Sequence, residues 1–90
     1  MRFEWDSYKD KANIYKHRVS FAEASSVFYD PLSVTAADPD HSEGEERMIT
    51  LGISSTGRLL VVAHTERVNA IRIISARVAT RNERKIYEEV

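Results

Sequence analysis

Ten consecutive residues, VNAIRIISAR at 68–77, constrain this chain more than any other stretch. Apolar side chains fall on both parities, Ile71 and Ile73 on one and Ala70, Ile74 and Ala76 on the other, which is the pattern of a strand covered on both faces. The run is therefore expected to form a central strand. Two arginines are set into it: Arg72 stands inside, and Arg77 closes it just before a helix signal at Thr80. A guanidinium cannot shed its charge, so each must pair with a carboxylate or hold an anion. The sequence leaves both roles open.

The rest of the chain is read around that strand. Residues 46–54 and 58–66 form a hairpin joined by Ser54-Ser55-Thr56-Gly57. Alternation sets Arg47 in line with Ile49, Leu51 and Ile53, and His64 in line with Leu60 and Val62, so each polar group is expected to end an apolar face at the sheet rim. Phe3-Glu4-Trp5 reads as a short edge strand, and Asp6 caps a helix running to about Lys16 or His17. On it Tyr8, Ala12 and Tyr15 make the face expected to pack. Lys9, Asn13, Lys16 and His17 share one polar stripe, which serves either as solvated surface or as a ridge facing phosphate. Ser20 with Glu23 reads as a capping box for a second helix striped by Phe21, Ala24, Val27 and Phe28, and Asp30-Pro31 stops it. Residues 32–37 read as a strand and 38–46 as an acidic loop; Thr80 with Glu83 caps a last helix reaching about Glu89. The expected class is α+β: one domain over 1–90, an antiparallel sheet, two N-terminal helices and one C-terminal helix.

Composition narrows the function classes. With 42% hydrophobic and 30% charged residues, the chain is composed as a soluble globular protein. No apolar run approaches the roughly 18–20 residues of a membrane helix, and the first residues lack the apolar core of a secretory signal, so a cytoplasmic location is expected. Without cysteine there is no disulfide, thiol nucleophile or thiolate metal site. The net charge of −1 conceals unlike blocks: residues 38–46 hold five acidic side chains, whereas 47–87 hold seven arginines and Lys85 against Glu66 and Glu83. That asymmetry suits a surface for nucleic acid or for an acidic partner, or one that balances the acidic loop.

Familiar site types are missing: the chain has no glycine-rich phosphate loop, no GxSxG and no HExxH. His17, His41 and His64 are too dispersed for a local metal motif, and His41 beside Asp38 and Asp40 is only a weak one, so neither metal nor cofactor is expected. What remains is cations with a few proton-transfer groups: His17, His41, His64 and Glu46. RNA cleavage can run on that inventory if a base takes the 2′-hydroxyl proton, an acid protonates the leaving 5′-oxygen, and fixed cations meet the charge growing on phosphate. A binding module without catalysis would carry the same arginines.

The segments FEWDSYKDKANIYKH, VSFAEASSVFYDP, EER ahead of a strand, and IRIISARVATRNERKIYEE resemble the BrnT family, the toxin half of a bacterial type II toxin-antitoxin pair. The resemblance runs from Phe3 to about Glu88. It implies a RelE-like fold, a growth-arresting ribonuclease activity without a metal, and neutralisation by a cognate ribbon-helix-helix antitoxin of the BrnA type. Operator DNA would be contacted only through that antitoxin. The family pattern falls on Trp5, Asp6, Lys9, Asn13, Lys16, His17, Phe21, Asp30, Pro31, Arg47, Gly52, Arg72, Ser75, Arg77, Glu83 and Tyr87. Phe21, Asp30 and Pro31 are read as structural, and Trp5, Asp6 and Tyr87 as bracing the core or a cap. Arg18 stands where many members have glycine, which implies a less tight turn.

The expectation is a metal-independent endoribonuclease. Lys9, Asn13, Lys16, Arg47, Arg72 and Arg77 are the candidates to bind RNA phosphate. His17, His64 and Glu46 are the candidates for proton transfer, in falling order of preference, and Arg72 and Arg77 for stabilising the transition state. Arg77 is preferred if only one acts, because strand ends expose side chains more readily. The two have opposite parity and leave opposite faces of the sheet unless a bulge intervenes. The alternative is a non-catalytic protein whose basic surface receives an acidic partner segment or nucleic acid.

Overall fold

The computed structural model describes residues 1–38, 40 and 46–89. Its elements are β1 (Phe3–Glu4), α1 (Ser7–His17), α2 (Phe21–Ser26) with a 3-10 turn (Val27–Tyr29), β2 (Val34–Ala37), β3 (Arg47–Ile53), β4 (Leu59–Arg67), β5 (Ala70–Val78) and α3 (Arg81–Glu88). They form one five-stranded sheet in the order β1-β5-β4-β3-β2. The tightly connected strands β2 to β5 pair antiparallel, but β1 pairs parallel with β5. The sheet is therefore mixed and not purely antiparallel as expected: both helices lie between β1 and the other strands, and a connection of that length permits parallel pairing. The central strand is β4, in which Leu59 to Thr65 are all buried. β5 has a strand on both sides only at Ile71 and Arg72, where the two residues of β1 reach it.

That short pairing explains α1, whose packing face was misread. Tyr8 and Tyr15 are 82% and 81% exposed, and the one buried residue of the helix is the polar Asn13. Beyond Arg72 the outer edge of β5 needs hydrogen-bond partners that an apolar helix face cannot supply. Asn13 provides them: its amide donates to the Ala76 and Val19 carbonyls, each at 2.8 Å, and its Oδ1 accepts from the Ala76 N–H at 3.2 Å. Asp10 accepts from the Phe21 N–H at 2.8 Å, tying α1 to the start of α2. Asp6 caps α1 through the N–H groups of Tyr8 and Lys9. At the other end Arg18 adopts φ 58°, ψ 31°; it makes the left-handed turn that glycine makes elsewhere, with strain in place of looseness.

α2 seals one face of the sheet. Val19, Phe21, Ala24 and Val27 pack there against Leu60, Val62, Ile73 and Ala76, with Phe3, Trp5 and Phe28 at the margin. His64 lies in this core at 1% exposure, not at the rim, because β4 is the central strand and the Phe28 ring covers the histidine at 4.8 Å. Its Nε2 shares a 2.7 Å hydrogen bond with the Thr50 hydroxyl, while Nδ1 is buried with no partner among the described residues. Burial pushes its pKa down to about 4. Ser20 caps α2, but Glu23 does not turn back to it; Glu23 accepts instead from Arg58, Ser54 and Thr56 in the hairpin turn, and the Arg58 guanidinium holds its carboxyl down at about 2.

The other face is covered over only part of its length. Leu51, Leu59 and Val61 pack there with Ile49, Ile53, Ala79 and Tyr87, beneath α3. Tyr87 donates to Asp30 Oδ2 at 2.6 Å, and the Ile53 N–H reaches the same oxygen at 2.8 Å, anchoring α3 to the strand ends. Gly52 is required where the 3-10 turn crosses β3, since a Cβ there would stand 2.8 Å from Val27 Cγ1 and 3.0 Å from Ser33 Cβ.

A candidate phosphate cleft

A one-residue irregularity in β5 builds the site. Ser75 pairs with Ala63, but the next pair is His64 with Ile73, leaving Ile74 unpaired as a bulge. Paired residues share a face, so Arg72, Ser75 and Arg77 all leave the sheet on the side that α2 does not cover. The bulge intervenes, and the two arginines share that side.

The register then sets three rows across this face. Leu51, Val61 and Arg77 form one row; Ile49, Ala63 and Ser75 form the next; Arg47, Thr65 and Arg72 form the third. Two residues of strand span about 6.7 Å, so the outer rows stand roughly 13 Å apart. Between them lies a floor in which Ala63 and Ser75 are small and Ile49 is the one bulky side chain. The result is a cleft of about 410 Å³ lined by Lys16, His17, Asp38, Arg47, Ile49, Val61, Ala63, Ser75, Ala76 and Arg77. Lys16 and His17 close it from the last turn of α1, which Asn13 fixes against the edge of β5.

The two arginines of the walls are held differently. Arg77 makes a two-pronged pair with Glu83, 2.7 and 2.8 Å, and Glu83 also accepts from the Thr80 N–H at 2.8 Å in the capping box that starts α3. The guanidinium holds the Glu83 carboxyl down at about 2. Arg47 has a buried Nε without a hydrogen-bond partner among the described residues, and the hydroxyl of its register partner Thr65 is likewise buried and unpartnered. A buried donor left unpaired costs free energy, so neither group is held by the fold in the way that Glu83 holds Arg77.

Of the sequence candidates, Lys16, His17, Arg47 and Arg77 are brought together. Arg72 shares the face but lies outside the lining residues, with Glu4 at 3.9 Å. Lys9 is exposed on α1 away from the cleft, and Asn13 is buried in backbone hydrogen bonds. Glu46 is exposed ahead of β3 and does not line the cleft, and His64 is buried on the opposite face. The suggested pairing of His41 with Asp38 and Asp40 lies partly outside the described residues. A larger hollow of about 580 Å³ at the β4–β5 turn mixes Arg2 and Arg67 with Glu66 and has no histidine, so chemistry favours the smaller cleft.

Residues 5–83 match the model of the ribonuclease toxin BrnT of type II toxin-antitoxin systems. The chain belongs to the BrnT family. Its fold is that of the Brucella abortus ribonuclease toxin BrnT, whose 1.1 Å crystal structure superposes with a TM-score of 0.65 at 23% identity, over 90% of this chain and 99% of that one. No curated protein matches the chain. Among the family-pattern positions, Trp5 packs edge-on against Phe21, Asp6 caps α1, and Asp30 and Tyr87 bond to each other, so these brace the BrnT fold away from the cleft. Sequence reading did not single out Asp38 or the Ala63 and Ser75 floor as parts of one site. Ser75 stood in the family pattern, but its place opposite Ala63 depends on a register that the bulge resets.

Proposed function

We propose that this BrnT-family chain is a metal-independent endoribonuclease whose reaction takes place in the cleft. The observation that carries the proposal is the convergence of Lys16, His17, Arg47 and Arg77 around the small side chains of Ala63 and Ser75. The cations neutralise the scissile phosphate and the charge that grows on it, and the open floor admits the phosphate between them. His17 is the cleft's proton-transfer group of choice: it exchanges a proton with the attacking 2′-oxygen or the leaving 5′-oxygen. Attack by the 2′-oxygen on phosphorus breaks the P–O5′ bond and leaves a 2′,3′-cyclic phosphate and a 5′-hydroxyl. The protein cations supply the stabilisation that a metal supplies elsewhere, which favours a metal-independent reaction. Arg72 stands at the margin as an outlying phosphate contact. We further propose a cytoplasmic, RelE-like toxin silenced by a BrnA-type ribbon-helix-helix antitoxin whose acidic segment covers the cleft, operator DNA being contacted only through that antitoxin.

Purified protein incubated with labelled RNA and excess EDTA tests the reaction. Fragments ending in a cyclic phosphate are expected; intact RNA from folded protein would sink it. A second reading, that the cleft only receives an acidic partner segment, draws on one observation: apart from the three cations, His17 and Asp38 are the only ionisable side chains among the described residues lining the cleft, and cleavage needs both an acid and a base. Intact RNA together with a stable antitoxin complex would favour it.

A further inference from the structure

α1 presents to solvent what its sequence would lead one to bury. Tyr8 and Tyr15 are the most exposed tyrosines among the described residues, at 82% and 81%, and their spacing of seven residues stacks them on one ridge about 10.5 Å apart along the axis. Lys9 and Lys16 repeat that spacing on a parallel track, one residue on, and are also exposed. Lys16 lines the cleft, so the lysine track runs out of the cleft alongside the tyrosine ridge. Lys11 adds a third exposed cation, whereas Asp6 and Asp10 are turned to the backbone N–H groups of Tyr8, Lys9 and Phe21.

We infer that this face of α1 is an exosite for single-stranded RNA, the substrate strand leaving the cleft over Lys16; the inference rests on the ribonuclease reading of the cleft. Lys16 and Lys9 follow the phosphates while bases stack on Tyr15 and Tyr8. A positive track beside aromatic faces is how proteins hold single strands without reading sequence, and the phenol rings here contribute no packing that would otherwise explain them. Phosphate chemistry matches the three exposed lysines, a residue type that the cores of protein–protein interfaces disfavour.

Fluorescence anisotropy with labelled 2′-O-methyl RNA, which cannot be cleaved through its 2′-oxygen, tests the exosite on strands of about 4 and about 12 nucleotides. The wild-type chain is expected to bind the longer strand more tightly, and Tyr8→Ala with Tyr15→Ala to lose about 30-fold or more of that affinity. Replacing both tyrosines by phenylalanine should retain it, and Tyr29→Ala, at another exposed tyrosine, should leave it unchanged. All variants should melt with the wild type, since the rings are exposed. Equal binding of the longer strand by the double alanine variant overturns the exosite and leaves the cleft reading standing. So does a loss of antitoxin affinity with RNA affinity intact, which makes the ridge a protein surface. Wild-type protein that neither binds nor cleaves any RNA overturns the exosite and the ribonuclease reading together.

Discussion

The two faces of the sheet are made by the same strands yet serve opposite ends. Beneath α2, Leu60, Val62 and Ile73 pack against Phe21, Ala24 and Val27, and the ionisable His64 is kept neutral there by its burial. On the reverse, α3 packs over Leu51, Leu59 and Val61 with Ile49 and Ile53, and beyond that cluster Arg47, Ser75 and Arg72 stay half-buried beside the buried Ala63 and Thr65. Strand alternation alone does not separate a core from a site. What separates them is where the covering helix lies, and α3, anchored at the Ile53 end through Tyr87 and Asp30, leaves the basic half-face without a helix over it.

The largest break in the comparison should come from the sealed face. Phe21→Ala removes a fully buried ring and should cost about 3–5 kcal/mol, a large share of the roughly 5–13 kcal/mol that a chain of this length commands. Chemical denaturation measures it. Cleavage per folded molecule should stay near wild type; a matching loss there would mean that the two faces are not independent.

Next comes acid. His64 has its pKa lowered in the folded state, so the neutral form is the one that folding favours. Its contribution is present above the unfolded value near 6.5 and is lost as pH falls toward 4. The full loss is about 3 kcal/mol, most of it complete by pH 4.5, before Glu23 and Glu83 begin to protonate on their way to about 2. His64→Leu should flatten the melting temperature between pH 6.5 and 4.5. An equally steep fall in the variant would place the acid sensitivity outside this core.

The open face should respond in activity instead. Arg47→Lys keeps the charge but removes the planar fork and the buried Nε, so single-turnover cleavage should drop about 10- to 1000-fold, with a melting temperature within a degree or two of wild type. Unchanged cleavage would remove Arg47 from the mechanism; a large thermal loss would make it structural.

How much of this was legible depended on whether a feature was local. Asp6, Ser20 and Thr80 declared their helix starts because a cap and its N–H partners lie within three residues. The hairpin likewise followed from Gly57 and alternation. Arg47 was found on the right row by parity within β3 alone. Failures came where two distant segments decide together. No property of Ile74 announces the bulge that moves Arg77 onto the face of Arg72; His64 looked like a rim residue until β4 proved central. Tyr8 and Tyr15 have the period of a packing stripe, and only the bare edge of β5, with its demand for a polar partner, explains why Asn13 took the inside.

Arg77 tests the comparison most finely, because it belongs to both halves of the open face. It lines the cleft, yet its fork is already engaged by Glu83, which also caps α3. As a half-exposed pair the two should couple by no more than about 1 kcal/mol, read from a cycle of Arg77→Lys, Glu83→Gln and the double variant, and a loss of that size shifts the melting point by about 4–8 °C. Glu83 has its pKa lowered, so the coupling should hold above pH 4.5 and fade as pH falls toward 2. With the fork turned to Glu83, Arg77→Lys should slow cleavage less than Arg47→Lys, by about tenfold or below. If it slows cleavage as much as Arg47→Lys while the cycle shows no coupling, the fork leaves Glu83 for the substrate, and Arg77 stands with Arg47 in the cleft rather than with the helix that covers the core.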